Sequence, residues 1–209
     1  MRTGLAFDQV LAAAQAGAAW AFEQLYRDLS PSVTSYLRLH GAAEPDDLCS
    51  ETFIGVFTGL SGFSGDEDGL RRWVFTIAHR RLLDDWRKRS RRPQLADEPG
   101  DLTTHVGGDV EADVLVRVGA QDVERLCDTL PTDQRSVLLL RILADLTVEQ
   151  VAEVMDRSVA SVKALQRRGL RTLRDRLEAS AEKGADKGAE KSSPVRAPLS
   201  VPVAMYGAR

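Results

Sequence analysis

The chain has 209 residues, 43% of them hydrophobic and 28% charged, which excludes a chain that is disordered throughout. Its net charge of −3 argues against nucleic-acid binding only until the charges are mapped along the sequence. Residues 80–92 carry seven basic and two acidic side chains, whereas residues 94–116 carry six acidic side chains and no Lys or Arg, so the distribution of charge is more informative than the net charge.

The N-terminal segment has the apolar spacing of an amphipathic helix. Phe7, Val10, Leu11 and Ala14 predict this first helix. A secretory signal peptide is the alternative, but Asp8 interrupts the apolar run, and the run is too short to span a bilayer. The amphipathic helix is therefore the favoured interpretation, and no membrane association is expected.

Helix start and stop signals divide the residues that follow. Apolar spacing predicts a second helix over residues 22–29. Ser30 and Pro31 have the N-cap and first-turn chemistry of a new helix start, and Gly41 is placed to end that helix. Pro45, followed by two aspartates at the positive end of the helix dipole, begins the next helix.

A loop rich in Gly, Ser and Asp covers residues 61–69 and precedes a long helix predicted over residues 70–89. Leu70 and Trp73 lie on the buried face of this helix, so Trp73 is expected in the core rather than stacked on a base. Pro93 ends this part of the chain.

Residues 146–177 have the pattern of a helix-turn-helix. Thr147 is placed to cap a short first helix and Ser158 to cap a longer second helix, with a tight turn between them. The apolar face of the second helix comprises Val162, Leu165, Leu170, Leu173 and Leu177. Its opposite, basic stripe comprises Lys163, Arg167, Arg171 and Arg174. Docking in a DNA major groove requires such a pair of faces; the alternative is a bundle helix whose polar face is solvated.

The fold class is all-α with two small helical domains, because helix signals are frequent and period-two alternation is missing. The first domain is expected over residues 1–93 and the second over residues 114–178. The acidic residues 94–113 between them have the composition of a flexible linker whose extended length is on the order of 60 Å. Residues 179–209, rich in Ala, Lys, Glu and Pro, are expected to form a disordered C-terminal tail.

No arrangement of residues predicts catalysis. Cys49 and Cys127 are solitary within apolar helical patterns and are expected to be buried rather than disulfide-bonded. His40, His79 and His105 have no metal-ligand spacing with each other or with the cysteines. Because no catalytic dyad or phosphate-binding loop is present, we expect no enzyme, no cofactor, no metal ion and no small-molecule substrate.

Taken in order, these segments resemble bacterial sigma factors of the extracytoplasmic-function (ECF) type, which retain the second and fourth conserved sigma regions. PDDLCSETF, residues 45–53, resembles the family segment AEDLxQETF, and the run from Gly62 to Pro93 resembles FRG…WLYTIARNxLIDxxRRxxRR. Residues 130–177, which begin LPTDQRSVLLLR, resemble LPxxxRxVLLLRxxxGLSxxEIAxxLGxSxGTVKSRxxRARxxLR. The resemblance covers roughly residues 18–178.

Several positions depart from the family pattern. Ser50 stands where Gln is usual, Arg80 where Asn is usual, and Asp156 where the turn Gly is usual. Leu165 and Gln166 invert the common order of Arg and Leu. The promoter sequence therefore cannot be read from these positions.

The resemblance implies a sigma factor, which is not an enzyme but binds core RNA polymerase and directs it to promoters. The residues that it places against the polymerase are Asp47, Leu48, Glu51, Thr52 and Phe53. An apolar stripe bordered by carboxylates suits a partner surface with basic residues. The alternative is that Leu48, Thr52 and Val56 fill the domain core while the acidic residues cap the helix, and the two roles are compatible.

The resemblance further implies that the loop at residues 62–69 and the helix after it read the minus-ten element of melted promoter DNA, with a flipped base held by the loop. The residues implied for the base are Phe63, Ser64 and Asp66, and those for phosphates are Arg80, Arg81, Arg87 and Lys88. The alternative for the loop is an ordinary polar turn.

The recognition helix would read the double-stranded minus-thirty-five element. The residues implied are Ser158, Ser161, Lys163, Arg167, Arg168 and Arg171. The acidic linker would thread through the polymerase, with a solvated spacer as the alternative. The family also implies an anti-sigma partner and a cytoplasmic location. The rival interpretation is a helix-turn-helix transcriptional regulator with a separate helical sensing domain, which would leave the basic helix at residues 70–92 without a role.

Overall fold

The computed structural model describes residues 6–91 and 123–190, with side chains described as far as residue 179. The expected linker at 94–113 and residues 191–209 of the expected tail lie outside these ranges. Within the described ranges every regular element is helical, which confirms the all-α fold class. None of these helices is long and apolar enough to cross a membrane.

The first helical group contains four helices and one short 3₁₀ turn. The helices are α1 (Phe7–Gln15), α2 (Ala19–Leu39), α3 (Pro45–Gly59) and α4 (Glu67–Arg91), and the 3₁₀ turn (Leu60–Gly62) follows α3. All four helices contribute to one core, whose fully buried side chains include Val10, Tyr36, Val56, Phe75 and Leu82. The predicted first helix, the helix beginning at Pro45 and the long basic helix are confirmed.

The expected helix boundary at Ser30 and Pro31 is wrong, because α2 runs through Pro31 without a break. A helical proline removes one backbone hydrogen bond and crowds the preceding turn. Here Pro31 is exposed, while Leu25 and Val33 on either side of it are buried on one continuous face. Packing along the whole face therefore outweighs the local preference of proline.

Gly41 ends α2 as predicted. Its φ of 70° places it in the left-handed region that glycine adopts at little cost. The Gly41 N–H donates to the Arg38 carbonyl at 2.8 Å, and the Ala42 N–H donates to the Leu37 carbonyl at 3.2 Å. This pair of bonds is the Schellman pattern, which satisfies carbonyls that have no partner within the helix.

The second helical group begins with a helical segment at residues 123–128. It continues with α5 (Thr132–Ile142), α6 (Val148–Val154) and α7 (Val159–Glu190). Its core includes Val137, Leu140, Leu146, Val151 and Val162. Cys127 in this group and Cys49 in the first are buried free thiols, as predicted.

The buried face of α7 differs from the predicted one. Val162 and Leu165 are buried and Leu173 is half-buried, but Leu170 and Leu177 are 50% and 54% exposed, so the prediction is wrong for these two leucines. Gly169 faces the core instead, and a Cβ at this position would lie 2.9 Å from Leu138 Cδ1. Any larger residue at this position would have to displace the Leu138 side chain, and Leu170, the next residue along α7, lies on the exposed side.

Helix α7 also ends later than predicted. The sequence pattern predicts that this helix ends at residue 178, whereas the helix continues to Glu190. The added residues are rich in Ala, Glu and Lys, which have high intrinsic helix propensity, and this offsets their lack of large apolar side chains. The described residues up to Leu173 form one compact unit that contains both helical groups.

Candidate nucleic-acid interface

The first helix of the predicted helix-turn-helix has a complete capping box. The Gln150 N–H donates to Thr147 Oγ1 at 3.2 Å, and the Thr147 N–H donates to Gln150 Oε1 at 2.8 Å. Two donors at the start of α6 are thereby satisfied reciprocally. The prediction that Thr147 caps this helix is confirmed.

The turn between α6 and α7 is set by Asp156 and Ser158. Asp156 has a φ of 52°, the left-handed conformation for which the family pattern has glycine and which aspartate tolerates better than most residues. The Arg157 N–H then reaches back to the Ala152 carbonyl at 2.9 Å. At the start of α7, the Ser161 N–H donates to Ser158 Oγ at 3.2 Å, which confirms the predicted cap. The departure at Asp156 therefore leaves the turn intact.

The basic stripe of α7 projects into solvent. Lys163, Arg167, Arg168 and Arg171 are all exposed, and none of them makes an ion pair with any described residue. Ser161 is half-buried. Because no neighbouring carboxylate neutralises these four cations, the stripe presents its full charge to an approaching phosphate backbone.

Leu165 and Gln166 of α7, whose order is inverted relative to the family pattern, differ in burial. Leu165 is 7% exposed and belongs to the apolar core, whereas Gln166 is half-buried. An arginine at the position of Leu165 would have to bury its charge. The inverted order therefore places an apolar side chain at the buried position of this helix.

The loop after α3 is built around two aromatic rings. The Phe63 and Trp73 ring centroids are 5.4 Å apart and the rings are 17° from parallel. Gln15 of α1 donates through Nε2 to the Leu60 carbonyl at 3.0 Å and the Phe63 carbonyl at 2.8 Å, which holds the loop against the bundle. Trp73 is half-buried against Phe63, in agreement with its expected packing role.

The other two loop residues implied for the flipped base are Ser64 and Asp66. Ser64 is exposed. Asp66 is exposed too, but its Oδ1 accepts a hydrogen bond from the Gly69 N–H at 2.8 Å at the start of α4. Asp66 therefore acts as a helix cap in this conformation.

The basic end of α4 is exposed and partly paired. Arg81 makes an ion pair with Glu51 at 3.2 Å, and Arg87 makes one with Asp84 at 2.8 Å. Within the described residues, Arg80 and Lys88 have no such partner. The four cations predicted for the minus-ten region thus lie on one helix, but two of them already contact a carboxylate.

The predicted polymerase-facing residues of α3 separate into two sets. Asp47 and Glu51 are exposed and Leu48 is half-buried, whereas Thr52 and Phe53 are buried at 0% and 2% exposure. Thr52 Oγ1 donates to the Leu48 carbonyl at 2.7 Å. Thr52 and Phe53 therefore fill the core, which the alternative interpretation of this helix expected for Thr52 and Val56 but not for Phe53.

Ile54, which the sequence pattern does not predict as a contact residue, is 66% exposed next to these acidic residues. An isolated exposed isoleucine is common on protein surfaces, so its sequence position alone carried no signal. Its position beside exposed carboxylates makes it part of the same surface of α3.

Two buried histidines lie in a hydrogen-bond network away from these surfaces. The Tyr36 hydroxyl is 2.7 Å from His79 Nδ1, and His40 Nε2 is 2.9 Å from Ser136 Oγ of the second group. Burial lowers the pKa of His40 from 6.5 to about 4, partly opposed by the hydrogen bond with the Tyr36 carbonyl. Burial likewise lowers the pKa of His79 to about 4. Both imidazoles are therefore neutral at pH 7.

Comparison with known protein families identifies both halves of the chain. Residues 25–92 match the model described as Sigma-70 region 2, and residues 120–173 match the model described as Sigma-70, region 4. The first match covers α3, the loop that contains Phe63 (the aromatic loop) and α4. The second match covers the helix-turn-helix with its basic stripe. The rival interpretation of a separate sensing domain does not account for the first match.

Individual relatives agree with the family models. The chain is 32% identical to the ECF RNA polymerase sigma factor BldN of Streptomyces coelicolor over 77% of its own length and 61% of BldN. It is 28% identical to the RNA polymerase sigma factor YlaC of Bacillus subtilis over 78% of its own length and 95% of YlaC.

The fold of this chain is also similar to that of a solved sigma factor. The structure of the sigma factor RpoE of Bartonella quintana with the anti-sigma factor NepR is similar at a TM-score of 0.57 and 20% identity, covering 75% of this chain and 96% of that one. Both conserved sigma regions are thus present in family order on the expected helices, and the chain belongs to the ECF group of RNA polymerase sigma factors.

Proposed function

We propose that this sigma factor binds core RNA polymerase through the outward face of α3 and reads the two promoter elements with α4 and α7. The observation that carries the proposal is the exposed, unpaired stripe of Lys163, Arg167, Arg168 and Arg171 on a capped second helix of a helix-turn-helix. An unpaired cationic stripe gains the most free energy from a phosphate backbone, because it gives up no existing partner.

The minus-thirty-five element would lie along the start of α7. Ser158 and Ser161 in the first turn suit hydrogen bonds to phosphate or base edges, and Lys163 and Arg167 lie one turn further along the helix. Arg168 and Arg171 extend the charge along the phosphate backbone. Leu165 supports this helix from the core rather than contacting DNA.

The minus-ten element would lie against the aromatic loop and α4. Phe63 and exposed Ser64 border the place for a flipped base, with Trp73 behind Phe63 as its packing support. Phosphates would contact Arg80 and Lys88 directly, whereas Arg81 and Arg87 would first have to leave Glu51 and Asp84. Asp66 would take part in this site mainly by capping α4.

The polymerase surface would consist of Asp47, Glu51, Leu48 and Ile54. Its exposed carboxylates around apolar side chains suit a partner helix with basic residues, which electrostatic attraction would bring into register. Thr52 and Phe53 would shape this surface from behind, because the core holds both side chains.

We further propose that the chain catalyses no reaction itself, uses no cofactor and acts in the cytoplasm, where core RNA polymerase works. An anti-sigma factor is the expected regulatory partner, since the sigma factor of Bartonella quintana with a similar fold is bound to one. Such a partner would cover the same α3 and α7 surfaces.

Promoter-specific transcription with purified core polymerase tests the proposed function. The full chain should bind core, protect both promoter elements from cleavage and start transcription at one defined position. A chain that binds promoter DNA tightly but neither binds core nor alters its start site would instead be an ordinary DNA-binding regulator.

A further inference from the structure

A cavity lies between α1, α2 and the first turn of α4, and neither the proposed DNA contacts nor the proposed polymerase surface uses it. Its volume is about 350 Å³, which is within the range of pockets that hold small molecules. Three helices contribute the apolar part of its wall, which comprises Phe7, Leu25, Leu29, Pro31 and Leu70. A wall of this kind favours a ligand with an apolar body.

The polar part of the wall contains a carboxylate oxygen without a partner. Asp28 lines the cavity, and its Oδ2 atom is buried and accepts no hydrogen bond from any described residue. A buried acceptor without a donor is costly, and a ligand that donates to it would remove that cost. Asp28 therefore marks the position of a hydrogen-bond donor, and a positively charged donor forms the stronger bond.

Pro31 leaves a second acceptor close to Asp28 in the chain. A carbonyl inside an α-helix accepts from the backbone N–H four residues later, and Pro31 has no N–H to offer to the Arg27 carbonyl. Arg27 and Pro31 both line the cavity. One turn of α2 thus brings the cavity a carboxylate without a partner and a carbonyl without its helical donor.

The two basic side chains at the cavity already have carboxylate partners. Arg27 makes an ion pair with Glu23, and Arg71 makes one with Glu67 at 3.1 Å. Neither guanidinium donates to Asp28 Oδ2. An anionic ligand would face the carboxylates of Asp28 and Glu67, so electrostatics favours a cation in this cavity.

We propose that this cavity binds a small organic ammonium ion, whose charged group contacts Asp28 and whose apolar body lies against the leucine side chains. A bare metal ion would leave the apolar wall without a contact, and a neutral apolar molecule would leave Asp28 without a donor. An ammonium group has three donors, enough for the Asp28 carboxylate and the Arg27 carbonyl together. A ring that carries a short alkylamine combines the two parts.

The ligand would contact three helices next to the aromatic loop. Glu67 of the cavity wall directly follows Asp66, which caps α4 at the end of this loop. A ligand that binds only the folded chain stabilises it once its concentration exceeds the Kd. Saturating ligand should therefore raise the thermal unfolding temperature of the chain. Because this is measured on the chain alone, the inference does not rest on the proposed function.

Titration of the full chain with phenethylammonium tests the site. Isothermal titration calorimetry should show saturable binding of one probe per chain with a Kd below about 1 mM. 2-Phenylethanol keeps the ring without the charge, and ethylammonium keeps the charge without the ring. Each should bind at least about tenfold more weakly than phenethylammonium. No saturable binding of phenethylammonium up to about 10 mM overturns the proposal.

Asp28→Asn separates this site from general attraction of a cation to an acidic surface. The variant keeps the shape of the side chain but removes its charge, so the affinity for phenethylammonium should fall at least about tenfold. Asp68→Asn is the matched control, because Asp68 is exposed on the first turn of α4 and does not line the cavity. Its affinity should be unchanged. Full affinity of Asp28→Asn, or equal losses in the two variants, overturns the site.

Leu29→Phe is a second variant, which leaves Asp28 in place. The larger side chain takes up part of the cavity, so the affinity for phenethylammonium should fall at least about fivefold. Full affinity in a folded Leu29→Phe chain contradicts the proposal. Binding that appears only after Arg2→Ala also overturns it, because the cavity would then serve a cation of this chain itself.

Discussion

The basic side chains of α7 and those at the end of α4 differ in what lies beside them. On α7, Lys163 and Arg167 have no carboxylate partner among the described residues, whereas on α4 Arg81 and Arg87 are paired with Glu51 and Asp84. An unpaired cation attracts phosphate at long range, while a paired one must first exchange its partner. On the proposed function, α7 would bind duplex DNA without first losing an ion pair, and α4 would act at a later step in which polymerase and melted DNA are both present.

Glu51 illustrates this difference, because it belongs to the proposed polymerase surface and also holds Arg81. Binding of a basic polymerase helix would compete for the Glu51 carboxylate and release Arg81 for the minus-ten strand. On the proposed function, polymerase contact and DNA contact on the first helical group would be linked through this ion pair. The second group contains no comparable pair on its described recognition stripe.

The strongest test of this contrast reverses two charges on each helix. Lys163→Glu with Arg167→Glu should reduce promoter-specific transcription to the level seen without sigma factor, because two unpaired cations become phosphate-repelling anions. The matched pair Arg81→Glu with Arg87→Glu should have a smaller effect, since these cations are already neutralised. Core binding by the first variant should be unchanged. Equal losses in the two variants would contradict the distinction between free and paired cations.

A fall in pH should destabilise the folded chain through two buried histidines, both of which lie in the first helical group. Both buried histidines, His40 and His79, have a pKa lowered from 6.5 to about 4. The unfolded chain therefore binds more protons between these values, so stability is complete above pH 6.5 and is lost as pH falls toward 4. Each histidine contributes up to about 3 kcal/mol to this loss.

Urea unfolding between pH 7 and pH 5 measures this dependence. The groups that face His40 are the Tyr36 carbonyl, Ser136, His79 and Arg135, and Asp133 faces His79. Replacement of His40 by Gln removes one titrating group and should flatten the pH profile. A His40→Gln chain with the same pH dependence as the natural chain would show that His40 does not control it.

Glycine positions give a third comparison between the two groups. A Cβ on Gly169 would lie 2.9 Å from Leu138, whereas a Cβ on Gly55 of α3 would meet Ile77 at an ordinary 3.6 Å. Gly169→Val should therefore destabilise the chain by about 1–3 kcal/mol through overpacking. Gly55→Ala should be neutral or stabilising by up to about 1 kcal/mol from helix propensity. Thermal unfolding of both variants checks the prediction, and a stable Gly169→Val chain would contradict the close approach of α7 to α5.

The sequence predicted local features well because their causes are local. Thr147, Ser158 and Gly41 act within four residues of themselves, and each one was located correctly from residue type and spacing. Pro31 was interpreted wrongly, because packing along the whole of α2 outweighs its local preference. Leu170 was assigned to the buried face because apolar spacing cannot show that its neighbour Gly169 packs against Leu138 of α5 instead.

The contact between the two helical groups could not be predicted from the sequence. His40 and Ser136 are 96 positions apart, and neither has a pattern that identifies the other as its partner. Helical periodicity shows which face of a helix is buried, but it does not show which helix covers that face. For the same reason Thr52 and Phe53 resembled contact residues in sequence and proved to be buried beneath the surface of α3.

The smallest expected effect compares the caps of α4 and α7. Asp66→Ala and Ser158→Ala each remove a side-chain acceptor at a helix start, and each should cost about 1 kcal/mol in unfolding free energy. Replacing each cap by a different capping residue should have different effects on transcription at the two positions. Asp66→Ser keeps a capping oxygen without the charge, so it should restore both stability and transcription if Asp66 serves only as a cap. Restored stability with impaired transcription would show that the Asp66 carboxylate also contacts the minus-ten strand. Ser158→Asp is the matched variant, because it keeps the cap but adds a negative charge beside the recognition stripe, and it should keep stability while weakening promoter binding.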